Sequence, residues 1–246
     1  MPDDTVHIQG LINGKPQRFI LDSGSSTVQL YSKERDGWLS LKALPGESIE
    51  VVPTIQVGDL TVASVPVLNT TKLTHEPLLG DPFFRDVVLT IDYRGGIAEF
   101  RDAGYATTIK ATDAIALPNC PSYSRWMPLT TLNVGGSEAN CIIDTGANTS
   151  CVGVNRACFK SYIGEKLKFG GNGAMGRMTL YATKRPVVVL AGARAIGRIR
   201  VGTELPPEVD ALIGNDILKN FRVTIDYPDG ITYLEPYGKV DVAKGR

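Results

Sequence analysis

The sequence predicts a mainly β protein built as two similar lobes. Three observations carry this. Short Val/Ile/Thr-rich runs bounded by Gly, Pro and Asn recur along the chain. A series of landmarks occurs twice in the same order. Sustained helical periodicity is nearly absent. At 246 residues the chain is long enough for two small cores. A composition of 43% hydrophobic and 21% charged residues is that of an ordinary globular protein. Lys and Arg (26) balance Asp and Glu (26), so no bulk charge favours nucleic acid or an anionic membrane. No apolar run approaches the ~20 residues of a membrane span. The start, MPDDTVHIQG, lacks the basic and apolar regions of a signal peptide, which leaves a cytosolic chain or one whose leader has been removed.

The first lobe is expected over residues 1–103. It opens with VHIQGLINGKPQRFILDSGSSTVQL: a strand-like run, a turn at Asn13-Gly14-Lys15, and a second strand ending in Asp22-Ser23-Gly24. Ile49 to Val57 and Leu60 to Val67 read as further strands. Leu78 to Phe100, LLGDPFFRDVVLTIDYRGGIAEF, gives two apolar residues and a glycine, a short helical turn at Asp81 to Arg85, and a strand containing T-I-D-Y. A tight turn at Arg94-Gly95-Gly96 and another strand complete it. Residues 104–125, with two prolines near the end and no amphipathic period, read as a connector that can also supply a strand.

The second lobe is expected over residues 126–246. MPLTTLNVGGSEANCIIDTGANTSCV repeats the opening pattern, with a turn at Gly135-Gly136-Ser137 and a strand ending in Asp144-Thr145-Gly146. Val154 to Leu167 is the best helix candidate, with Val154, Cys158, Tyr162 and Ile163 on one face. Pro186 to Ala191 reads as a strand. Leu212 to Glu235, LIGNDILKNFRVTIDYPDGITYLE, repeats the later block, with a short turn at Asn215 to Phe221 and a hairpin turn at Pro228-Asp229-Gly230. Gly80 follows Asp22 by 58 positions and Gly214 follows Asp144 by 70, so the intervals are roughly kept.

Both repeats run a strand of apolar residues straight into an aspartate, at FILDSG and CIIDTG. Burying a carboxylate costs several kcal/mol unless it is hydrogen-bonded, paired or neutralised. One such aspartate alone reads equally well as a turn former before glycine. Two in matching context point instead to a pair that compensate each other. Asp92 and Asp226, within the T-I-D-Y blocks and just before hairpin turns, read as turn formers. The glycines Gly80 and Gly214 read as packing residues beneath the aspartate loops.

The element of two apolar residues, Asp, Ser or Thr, and Gly, followed later by two apolar residues and Gly, resembles the aspartic proteases of the pepsin and retroviral-protease clan. The resemblance covers nearly the whole chain, twice. It implies a bilobal acid-protease fold in which each lobe donates one loop. Asp22 and Asp144 would be the catalytic pair, with Ser23, Gly24, Ser25, Thr145, Gly146 and Ala147 holding the loops. Two adjacent carboxylates share one proton, the established pattern of this clan. The ionised member takes a proton from an attacking water, and the protonated member gives one to the peptide carbonyl. Ser25 offers a hydroxyl near Asp22 where Ala147 offers none, so Asp22 is expected to hold the negative charge more often. The family also covers its cleft with a β-hairpin flap. Phe169 to Leu180, with Gly171, Gly173 and Met175, is the candidate in the second lobe, and Leu41 to Val52, with Pro45-Gly46, is a shorter one in the first. One flap and two flaps both remain open. The short lobes, and a first lobe without the flap tyrosine typical of pepsins, favour a retropepsin-like pattern duplicated in one chain.

The reading that follows is an endopeptidase acting on extended peptide or protein substrates with apolar side chains at the cut. One chain supplies both loops, so a monomer suffices, and no metal or organic cofactor is called for. The alternative is a peptide-binding or assembly module that keeps the fold without turnover. Other chemistries lack their motifs. There is no G-x-S-x-G, His7 and His75 accompany no nucleophile, and Gly170-Gly171-Asn172-Gly173 lacks the ending of a phosphate-binding loop. The spacing of Cys120, Cys141, Cys151 and Cys158 fits no zinc site. A Cys151–Cys158 disulfide and isolated core thiols are both compatible with it. Arg194, Arg198 and Arg200 read as a solvated strand face.

Overall fold

The computed structural model describes residues 5–31, 37–44, 46–70, 76–105, 114–120, 127–167, 171–173 and 176–238. Seven strands form the sheet of the first lobe: β1 (His7–Ile12), β2 (Lys15–Leu21), β3 (Val28–Leu30), β4 (Leu39–Leu44), β5 (Glu47–Val57), β6 (Leu60–Thr70) and β7 (Leu78–Leu79). They lie in the order β1-β2-β7-β3-β6-β5-β4, and β1 also meets β5. After α1 (Asp81–Phe84) come β8 (Val87–Asp92), β9 (Ile97–Asp102) and β10 (Ile115–Pro118).

The second lobe contributes β11 (Leu129–Val134), β12 (Ser137–Ile143), β13 (Cys151–Gly153), β14 (Ile163–Lys166), β15 (Gly171–Gly173), β16 (Gly176–Met178), β17 (Tyr181–Ala191), β18 (Arg194–Thr203) and β19 (Ala211–Ile213). Its sheet runs β11-β12-β19-β13-β18-β17-β14, with β11 also meeting β17. Strand for strand this is the order of the first lobe. α2 (Asn215–Leu218), β20 (Phe221–Asp226) and β21 (Ile231–Pro236) close the described chain. The fold is therefore mainly β and two-lobed, with a β15–β16 hairpin inserted between β14 and β17. That insertion accounts for the longer Asp-to-Gly interval of the second repeat.

Turn chemistry sets the hairpins. Asn13 and Gly14 both take positive φ (49° and 79°), as do Gly135 and Gly136 (62° and 92°), the geometry that matches the twist of the flanking strands. The Asp92 carboxylate accepts from the Arg94 and Gly95 N–H groups, and that of Asp226 from Asp229 N–H, so both are turn formers.

A five-stranded sheet, β10-β21-β20-β8-β9, joins the lobes. Its centre is an antiparallel β8–β20 pair in which Thr90 faces Thr224, their hydroxyls 3.0 Å apart. The register is symmetric about that pair, which marks a pseudo-two-fold axis. The connecting segment does supply a strand, β10, which pairs with β21.

The helix expected over Val154 to Leu167 does not form. Only Ala157–Phe159 makes a 3-10 turn, and Ile163–Lys166 becomes edge strand β14 against β17. Phe159 is buried and Cys158 exposed, so the presumed apolar face is broken. Gly164 is a poor helix residue. Tyr162 hydroxyl donates to Gly135 O at 2.8 Å, and Arg156 binds the Val209 carbonyl and Asp210. These tertiary contacts outweigh the apolar spacing. All four cysteines are free thiols, which removes the disulfide possibility. On β18, Arg194 and Arg200 are exposed and Arg198 half-buried.

Candidate active site

Each aspartate leaves the end of a buried strand. Asp22 follows β2 and Asp144 follows β12, both strands pairing in parallel with the short β7 or β19. Their backbone N–H groups donate to Leu79 O and Ile213 O, 2.9 Å in each case. The chain then turns tightly: Ser25 N–H returns to Asp22 O and Ala147 N–H to Asp144 O. Ser25 and Ala147 thus support the loops through their backbones.

The loops interlock across the pseudo-two-fold. Ser23 hydroxyl donates to Ile143 O (2.7 Å) and accepts from Thr145 N–H (3.0 Å). Thr145 hydroxyl donates to Leu21 O (2.8 Å) and accepts from Ser23 N–H (3.1 Å). Both residues are buried, so these four bonds work in a low-dielectric setting. The glycines explain the close approach. A β-carbon on Gly24 would lie 2.6 Å from Asp144 Oδ2, and one on Gly146 2.7 Å from Asp22 Oδ1. Only glycine lets each loop lie against the opposite carboxylate.

The carboxyls are unequal. Burial raises Asp22 well above the usual carboxylate range, and the Asp144 charge and hydrogen bond raise it further, against the Gly24 and Ser25 N–H groups. Burial raises Asp144 as well, but the Gly146 N–H, the bond from Asp22 and the Ala147 N–H hold it down. Both carboxyls are raised, Asp22 the more strongly, as expected of a pair that shares one proton. The Ser25 hydroxyl, expected near Asp22, donates instead to Thr27 O at 2.9 Å.

A further layer lies beneath the loops. Asn215, fully buried, donates from Nδ2 to Thr145 O (2.8 Å) and accepts from Tyr93 hydroxyl (2.6 Å). Gly80 and Gly214 pack under the loops as expected: added β-carbons would meet Ser25 O at 2.6 Å and Ala147 O at 2.7 Å. Sequence reasoning passed over Asn215 and Tyr93. Their signal was present, in the residue after each L-[LI]-G and in the tyrosine of each T-I-D-Y.

Of the flap candidates, Gly171 and Gly173 lie on β15, paired with Met178 and Gly176 of β16, while Met175 is outside the described residues. The first lobe has its own hairpin, β4–β5, turning where Gly46 takes φ 77°. His7 is held by Thr5 and Glu76, and His75 lies outside the described residues. Cys141 and Cys151 are buried, Cys151 pushed by burial up to about 12, which suits core thiols. Among the described residues no group of three His, Cys, Asp or Glu is placed to hold a metal, and no helix is long and apolar enough to cross a membrane.

Comparison with known proteins agrees with this fold. Residues 124–226 match the family described as retroviral aspartyl protease, a span that includes Asp144. The whole chain resembles the crystal structure of aspartic proteinase from Irpex lacteus with a TM-score of 0.60. That match covers 98% of this chain and 96% of the other at 9% identity. Comparison with curated proteins gives no match.

Proposed function

We propose that this chain, which belongs to the aspartic protease clan, hydrolyses peptide bonds with a water activated between Asp22 and Asp144. The observation that carries the reading is the meeting of two carboxyls, Asp22 buried and Asp144 half-buried, across the pseudo-two-fold, each lying against the glycine of the opposite loop. In the proposed reaction the Asp144 carboxylate takes a proton from water as its oxygen attacks the peptide carbon. The Asp22 carboxyl gives its proton to the carbonyl oxygen, leaving a neutral gem-diol. Collapse returns a proton to Asp22 and passes the one on Asp144 to the leaving nitrogen. The loops hold this geometry before substrate arrives, so little reorganisation is needed.

An extended peptide is the substrate class that suits a cleft between two β lobes, since hairpin backbones offer it ladder hydrogen bonds. Three of the exposed large apolar side chains, Leu39, Leu41 and Ile49, lie on the β4–β5 hairpin. They favour apolar residues beside the cut. We assign the β15–β16 hairpin, with Gly171 and Gly173, as the corresponding flap of the second lobe. Both loops come from one chain, so a monomer is the active form. A statine-type transition-state mimic tests the reading by calorimetry. One equivalent should bind the parent tightly, and Asp144→Asn should weaken binding at least 100-fold; equal binding by both would contradict it.

A further inference from the structure

The two loops rest on different supports. Asn215 N–H donates to Ala147 O and Asp81 N–H to Ser25 O, so Asp81 occupies in the first lobe the place of Asn215 in the second. Tyr227 likewise corresponds to Tyr93, each following a T-I-D sequence. In the second lobe the set is satisfied: Asn215 Nδ2 donates to Thr145 O and its Oδ1 accepts from Tyr93. In the first, Asp81 is only 9% exposed, and its Oδ1 has no hydrogen-bond partner. The Tyr227 hydroxyl, 1% exposed, has none either. Yet the Tyr227 ring stacks on Phe84 of α1, centroids 5.4 Å apart, beside Asp81. By the correspondence of the repeats, the Ser23 carbonyl is the first-lobe counterpart of the Thr145 carbonyl that Asn215 binds. An amide can donate there, whereas a carboxylate has nothing to donate.

We propose that Asp81, in its protonated form, is a positioning residue for Asp22, taking beneath the first loop the donor role that Asn215 takes toward Thr145 O beneath the second. The inference rests on the hydrolase reading above. Losing the proton removes the donor beneath the Asp22 loop and places a second negative charge near the dyad. Burial pushes the Asp81 carboxyl up to about 6, against the pull of Arg85, whose Nη2 lies 3.9 Å from Oδ2. The other ionisable groups facing it are Tyr227 and, beyond it, Asp22 and Asp144. Strands β3, β6 and β7 carry no ionisable side chain, and β8 carries only Asp92, engaged in its own turn. Asp81 thus sets an upper pH limit that the second lobe, with Asn215, lacks.

The test compares pH profiles of kcat/KM for the parent, Asp81→Asn and the reciprocal Asn215→Asp on one cleaved peptide. Asp81→Asn is the residue the second lobe already uses, so it should fold. Between pH 5 and 7 the parent should lose about tenfold more activity than Asp81→Asn, the effect of one ionisation near 6. Asn215→Asp should steepen that loss. Superimposable profiles for parent and Asp81→Asn would overturn the proposal. Melting temperatures judge the proton without any turnover. Asp81 binds its proton more tightly folded than unfolded, so the parent's stability relative to Asp81→Asn should be greatest near pH 4 and fall as pH rises through 6. A difference that stays constant from pH 4.5 to 7.5 would also overturn it. If the parent cleaves nothing, the hydrolase reading fails and the melting comparison alone decides Asp81.

Discussion

At Gly24 and Gly146 the two halves of the chain come closer than a methyl group allows, because the space holds the opposite carboxylate. Gly146→Ala should therefore destabilise the fold by about 1–3 kcal/mol, the usual cost of overpacking, and reduce kcat at least 100-fold. Chemical denaturation and peptide turnover check the two effects. Thr145→Val removes the donor to Leu21 O and leaves the buried Ser23 N–H without its acceptor. A loss of about 2–4 kcal/mol is expected, against a much smaller one for the isosteric change at an exposed threonine. The aspartates and glycines were legible in the sequence because their pattern repeats in a context that makes a lone carboxylate untenable. The direction of a hydroxyl was not: whether Ser25 turns to Asp22 or to Thr27 depends on loop geometry that residue identity does not determine. Asn215 and Tyr93 escaped notice for a related reason, since their bond joins residues 122 positions apart.

Among the elements, strands and hairpins followed from local chemistry, and the one helix of any length expected did not form. Ile49 to Val57 and Leu60 to Val67 fall within β5 and β6, and both short turns after L-[LI]-G became α1 and α2. Alternating burial and turn glycines act over a few residues, so the sequence displays them directly. Val154 to Leu167 failed because its apolar spacing serves contacts with β17, Gly135 and the 206–210 loop, none of which a sliding window sees. The shared sheet offers a test at this scale. Thr90→Val or Thr224→Val alone strands one buried hydroxyl and should cost about 1–2 kcal/mol. The double replacement should return close to the parent, and a double-mutant cycle by urea denaturation measures the coupling.

For the whole molecule, the duplicated sheets meet through β8 and β20 within one chain, and the proposed dyad draws one aspartate from each repeat of that chain. Specific activity is accordingly expected to be independent of protein concentration on dilution, checked alongside sedimentation velocity. The raised Asp22 carboxyl also links stability to pH. Asp22 holds its proton more tightly folded than unfolded, so its contribution is full below the ordinary aspartate value of 3.8 and is lost as pH rises toward its folded value. Melting temperature relative to Asp22→Asn should fall with rising pH across that window, and a rise would contradict a raised Asp22 carboxyl. The central claim, that Asp22 and Asp144 together hydrolyse peptides, is tested most directly by cleavage of a diverse peptide library from about pH 3 to 8, comparing the parent with Asp144→Asn. Cleavage by the parent is expected, with apolar residues beside the cut, and a loss of at least a thousandfold in the mutant. Equal cleavage by both, or none by a parent that is folded throughout, would contradict it.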